Sequence, residues 1–180
     1  MGLRDRRQDR HAGRRGTDGG GAEIYQIQAK VISIGDDYWI ENDSGDRVYK
    51  VDGKVARLRD TWKLKNRDGD VVAVIREKVL SIRDAITIEA SGRDAKVKKA
   101  LVGIRDRFHV EVEHGDDLKV HGNVVDHEYE IERDGHKVAE VSKKWFRVRD
   151  TYGVEVYDPT ITPLILAITV AVDALSNDRR

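Results

Sequence analysis

The feature that most restricts this chain's fold is Leu164-Ile165-Leu166-Ala167-Ile168-Thr169-Val170-Ala171-Val172-Asp173-Ala174-Leu175, which is apolar but keeps to no single stripe. Thr162 stands as the expected N-cap and Pro163 as the first helical residue, where proline's missing N–H costs nothing. Leu164, Ile165, Leu166, Ile168, Val170, Val172 and Leu175 point all round the axis, so this helix must be buried on every side. A protein core and a bilayer both offer that. About a dozen helical residues span roughly 18 Å, well short of roughly 30 Å of hydrocarbon. The expectation is a core helix, with Leu164, Ile165, Leu166, Ile168 and Val172 at its centre, and no transmembrane segment.

Everything upstream reads as β. From Ile24 the chain alternates Tyr25, Ile27, Ala29 and Val31 against Gln26, Gln28 and Lys30, the mark of a strand with one buried face. Similar runs recur at 38–40, 48–51, 62–64, 71–75, 86–88, 108–112, 118–120, 129–131, 138–141 and 154–156. The segment 96–104 is ambiguous between helix and strand. Turn clusters separate the runs: Asn42-Asp43-Ser44-Gly45, Asp52-Gly53, Asp68-Gly69, Ser91-Gly92, His114-Gly115-Asp116 and Asp134-Gly135. About a dozen short antiparallel strands result.

Sliding the chain by 66 positions brings Arg67-Asp68-Gly69 onto Arg133-Asp134-Gly135, Val72-Ala73 onto Val138-Ala139, Lys78 onto Lys144 and Arg83-Asp84 onto Arg149-Asp150. Charged positions match as well as apolar ones, which hairpin texture alone would not give. Two related β-halves followed by an all-round apolar helix predict a closed antiparallel barrel whose lumen the helix fills, leaving no exposed sheet edge.

Composition bounds function mainly by exclusion. Lys plus Arg equal Asp plus Glu at 33 each, so no global field draws the chain to nucleic acid, and no nucleic-acid partner is expected. Cysteine is absent, which rules out disulfides, thiolate metal sites and a cysteine nucleophile, and suits a reducing cytoplasm. Residues 1–22, rich in Arg, Asp and Gly, read as a disordered tail ahead of a domain at 23–176, with 177–180 a flexible terminus. No apolar stretch follows Arg6-Arg7 or Arg14-Arg15 as an export signal would require.

The residues Lys30-Val31-Ile32-Ser33-Ile34-Gly35-Asp36-Asp37-Tyr38-Trp39-Ile40, Tyr49-Lys50-Val51-Asp52-Gly53-Lys54, Ile75-Arg76-Glu77-Lys78, Glu140-Val141-Ser142-Lys143-Lys144-Trp145-Phe146, Arg149-Asp150-Thr151-Tyr152-Gly153-Val154 and the closing apolar helix resemble the LURP-one-related family, in order, over about 23–176. That resemblance implies the tubby-like C-terminal fold, a twelve-stranded barrel round a central hydrophobic helix. The same fold class includes a phosphoinositide-binding module and is similar to phospholipid scramblases. It implies no settled activity, and residues 1–22 lie outside it.

A catalytic or metal site is not expected. No His-Glu-x-x-His, Gly-x-Ser-x-Gly or phosphate-loop motif occurs. His109, Glu111 and Glu113 share a strand face by parity, and His121, His127 and Glu128 fall together across a hairpin, but these read as surface histidines. No cofactor is implied. The strongest binding candidate is cationic: Lys143, Lys144, Arg147 and Arg149 around Trp145, with Arg76, Lys78 and Arg83 as repeat mates. Ammonium and guanidinium donors suit phosphate, and tryptophan suits a headgroup interface. The competing reading places Trp145 and Phe146 in the core and pairs the cations with Glu140 and Asp150. Lys96, Lys98 and Lys99 read as a solvated face. Asp173, inside the apolar helix, is expected near the helix end with an arginine such as Arg179. The functional expectation is a non-enzymatic cytoplasmic module that binds an anionic phospholipid at the inner membrane face. The alternatives are a protein-interaction or structural domain and, more weakly, a scramblase-like protein.

Overall fold

The computed structural model describes residues 21–28, 37–56, 59–77, 85–100, 107–145 and 151–177. Residues 1–20 of the tail expected at 1–22, together with Arg147, Arg149, Phe146, Lys78, Arg83 and Arg179, lie outside the described residues.

Twelve strands alternate along the chain: β1 (Glu23–Gln28), β2 (Tyr38–Asn42), β3 (Arg47–Ala56), β4 (Arg59–Asn66), β5 (Val71–Glu77), β6 (Ala85–Ala90), β7 (Ala95–Lys99), β8 (Arg107–Val112), β9 (Leu118–Asn123), β10 (Glu128–Arg133), β11 (His136–Ser142) and β12 (Thr151–Val156). Each pairs antiparallel with its neighbour in sequence, and β1 pairs β12 in the register Glu23↔Val156 to Gln28↔Thr151, closing the barrel. Closure satisfies every edge, so the wall offers no template for a further strand.

Local chemistry sets the hairpins. In the β2–β3 turn Asn42 Oδ1 accepts from Ser44 N at 3.1 Å and Asp46 N at 2.8 Å; in the β4–β5 turn Asn66 Oδ1 accepts from Asp70 N at 2.8 Å. The side chain closes the turn as an Asx motif, and Gly45 and Gly69 take the positive φ that follows (80° and 90°). Asp52-Gly53, expected to turn, instead lies within β3: Gly53 stands opposite Trp62, and the Asp52 carboxylate takes Lys65 at 2.7 Å across the pair. Extended backbone with a cross-strand ion pair satisfies both residues, so no reversal is needed. The ambiguous 96–104 segment is strand where described, with Val97 buried in β7.

The 66-residue offset is structural. It lays β5 on β11 and β6 on β12 and matches the turn before β5 to the turn before β11. The match holds for β4 to β6 against β10 to β12 and does not extend to β1, whose image at 89–94 falls between β6 and β7.

A short 3₁₀ turn, Pro159–Ile161, leads into α1 (Thr162–Asn177). The N-cap expectation for Thr162 is corrected: Thr162 is already helical, and Asp158 caps the turn, accepting from Thr160 N at 3.1 Å. The helix is also longer than the dozen residues expected, because the 3₁₀ turn and the last turn past Leu175 extend it. The eighteen residues Pro159–Ser176 are long and apolar enough to cross a bilayer, and 72% of them are buried inside the barrel. Leu164, Ile165, Leu166, Ile168, Val170, Val172 and Leu175 are all buried, and α1 runs closest to β5, β6, β7 and β12. The side chains that point all round the helix meet inward residues such as Ile75, Ile86, Ile88, Val97 and Val154. Each large aliphatic buried this way contributes about 1.5–3 kcal/mol.

Candidate functional site

In a twelve-strand meander the connections from odd to even strands all fall at one end of the barrel. The β9–β10 turn and the segment after β11 are therefore neighbours at that end, where α1 also finishes. Two groups of residues gather there, one exposed and one buried.

The exposed group contains part of the basic segment predicted from sequence. Lys143, Lys144 and Trp145 form a turn after β11, all three exposed. Trp145 is thus not a core residue; its indole is 36% exposed. Glu128 shapes this turn. Its carboxylate accepts from the buried Ser142 hydroxyl at 3.0 Å and from the Lys143 N–H at 3.1 Å, and pairs with Lys144 Nζ at 3.0 Å. The Lys144 N–H donates back to Ser142 Oγ at 3.1 Å. Burial pushes the Glu128 carboxyl up, but Lys144, Ser142 and the Lys143 amide together hold it below its ordinary range. Among the described residues the Lys143 ammonium has no carboxylate partner. Glu140, expected to neutralise this segment, is held by Lys137 at 2.7 Å. Val125, 61% exposed in the β9–β10 turn, adds an apolar side chain at the same end.

Three other described cations are committed elsewhere. Arg76 pairs with Glu89 and Lys98 with Glu111, while Lys99 lies over the Phe108 ring at 5.5 Å. The structure therefore brings together Lys143, Lys144 and Trp145, and separates Arg76 from them on the barrel wall.

The buried group was not anticipated. Asp173 is 1% exposed, and no arginine meets it among the described residues. Its Oδ2 accepts from the Tyr152 hydroxyl, and its Oδ1 lies 3.3 Å from His127 Nδ1. His127 is no surface histidine: its backbone takes a positive φ of 52°, and its ring stacks on Tyr152 at 4.3 Å and 8°. A left-handed conformation at a non-glycine residue is uncommon, and here it turns the imidazole inward to the helix. Burial first, and then the Asp173 charge, push the hydroxyls of Tyr38, Tyr129 and Tyr152 well above the ordinary tyrosine range. The cluster pins the end of α1 to β12 and to the β9–β10 turn. The sequence signal for it was Asp173 alone, a carboxylate among apolar neighbours; nothing in sequence ties it to His127.

His109 and His121 sit on the wall. His109 Nε2 is 3.1 Å from Asp117 Oδ2; it shares the outer face of β8 with Glu111, as parity predicts, while Glu113 lies past the strand's end. His121 stands opposite Glu130 across β9–β10, with Nε2 3.0 Å from Glu132 Oε1.

Comparison with known proteins bears on the fold. A family model described as LURP-one-related matches residues 23–173. An X-ray structure of a protein from Arabidopsis thaliana is similar, with 17% identity and a TM-score of 0.57 over 87% of this chain and 92% of that one, a likeness of fold alone. A search of the curated proteins finds no match.

Proposed function

The chain belongs to the LURP-one-related family, and we propose that it is a non-enzymatic binding module whose odd-to-even barrel end engages anionic phospholipid at the cytoplasmic membrane face. One observation carries this reading: Trp145 is partly exposed beside Lys143 and Lys144 on a turn that Glu128 fixes from below. An exposed indole suits the headgroup layer, and lysines next to an anionic surface contribute about 1 kcal/mol each. Val125 enlarges the apolar contact. The barrel interior is filled by α1, so lipid would be met at the surface and not within the lumen.

The test is flotation with phosphatidylcholine vesicles containing graded phosphatidylserine at low and moderate salt. The expected result is binding that rises with anionic content and falls with salt. Lys143→Glu with Lys144→Glu should weaken it by at least about tenfold, the equivalent of about 1.4 kcal/mol, and Trp145→Ala by a smaller factor. Equal binding of wild type and the double variant, or equal binding to neutral vesicles, would sink the reading and favour a protein partner instead.

A further inference from the structure

We infer that His121, Glu130 and Glu132 form a divalent transition-metal site on the outer wall of β9 and β10. Their ligand atoms, one imidazole nitrogen and two carboxylate oxygens, all lie within 4.8 Å of one another. Two strands hold them rigidly. Glu130 pairs directly with His121 in the antiparallel register, and Glu132 follows two residues on, on the same face.

The close approach of the strands is built in at Gly122, whose φ is 140°. A Cβ there would lie 2.6 Å from the Glu128 carbonyl oxygen and 2.7 Å from Tyr129 Cα, both backbone atoms. Only glycine fits, and the fit sets His121 against β10.

The geometry at His121 points to an ion. Nε2 is buried and lies 3.0 Å from Glu132 Oε1, yet it makes no hydrogen bond. The two atoms are close but not aligned along a shared proton. Ligands about 2.1 Å from an ion stand about 3.0–3.4 Å apart at octahedral or tetrahedral angles, and the His121–Glu132 pair stands at 3.0 Å. One imidazole with two carboxylates suits Zn²⁺ or Mn²⁺ and leaves positions for water.

A cleft of about 450 Å³ lined by Arg107, His109, Lys119, His121 and Glu132 gives those waters, or an anionic ligand, room. Lys137 Nζ, 2.5 Å from Glu130 and 2.7 Å from Glu140, supplies positive charge to the site when no ion is bound. It competes with the metal for Glu130.

The experiment is isothermal titration of the tag-free full chain with ZnCl₂ and with MnCl₂, alongside histidine ring NMR for broadening by Mn²⁺. The expected result is one ion per chain, with His121 broadened first. His121→Ala and Glu132→Gln should each weaken binding at least about tenfold while leaving the melting curve in place, since both side chains lie on the outer wall. His109→Ala, in the same cleft but held by Asp117, should bind as wild type does. Lys137→Gln should tighten binding by freeing Glu130. Absence of saturable binding would overturn the inference, as would His121→Ala binding unchanged or loss of binding in His109→Ala. Unchanged affinity in Lys137→Gln would remove Glu130 and overturn the three-residue assignment.

Discussion

Tyr38 and Tyr152 are both buried beside Asp173, yet only Tyr152 donates its hydroxyl to the carboxylate. The Tyr38 hydroxyl has no hydrogen-bond partner among the described residues. Leaving a buried polar group unpaired costs about 1–3 kcal/mol, and a hydrogen bond to a charged group is worth about 1.5–3 kcal/mol. The same chemical change should therefore have opposite effects at the two positions. Tyr38→Phe is expected to hold or raise stability, by up to about 1 kcal/mol, and Tyr152→Phe to lower it by about 2 kcal/mol. Urea denaturation of both variants checks this, and equal losses would show that Tyr38 is hydrogen-bonded in solution. At this scale the sequence was legible only in part. A lone aspartate in an apolar helix is an anomaly any reader can find, but its partners come from β12 and from a left-handed turn, and no local pattern announces either. The Lys143-Lys144-Trp145 run was legible as a patch, whereas its exposure depends on Glu128, which reaches it from another hairpin.

The helix shows the reverse balance. Its burial followed from the sequence alone, because apolar side chains on every side exclude a surface position, and the structure places it in the lumen. Its beginning did not follow, since Thr162-Pro163 is a good cap-and-first-turn signal that the preceding 3₁₀ turn pre-empts by extending the helical backbone to Pro159. Period-two alternation likewise located most of the strands, while Asp52-Gly53 misled because turn chemistry can be outbid by a cross-strand lysine. Truncating Leu166, fully buried at the helix centre, to alanine should cost about 3 kcal/mol through lost contacts and the cavity left behind. Ile165→Asp should abolish a cooperative transition altogether, because the new carboxylate would have no partner in the lumen. Thermal melts followed by near-ultraviolet circular dichroism read both; a wild-type melt for Ile165→Asp would mean that the helix does not form the core.

Over the whole molecule, the buried tyrosines set the response to base. An unfolded chain ionises its tyrosines near pH 10, whereas burial and the Asp173 charge keep Tyr38, Tyr129 and Tyr152 protonated well above that. Their folded values are raised, so this stability is complete below about pH 10 and is lost as pH climbs through the folded values, at up to about 1.4 kcal/mol per pH unit for each group. The melting temperature should be flat from pH 8 to near 10 and fall steeply beyond it, with the fall shallower in Tyr38→Phe. A flat profile to pH 12 would count against burial of these hydroxyls. The equivalence of β4–β6 with β10–β12 was readable from the 66-residue offset, since charged residues that match at equal spacing mark equivalent turns. The pairing of β1 with β12 was inferred only through the need to leave no edge. That pairing also sets a timetable for biosynthesis. Glu23 waits for Val156, and the helix that fills the lumen is made later still, so the strands are synthesised before the element that fills their interior. Long-range closure of this kind is slow and leaves apolar surface open in the interim. The inward faces of the strands therefore stay open to solvent until the lumen helix follows them.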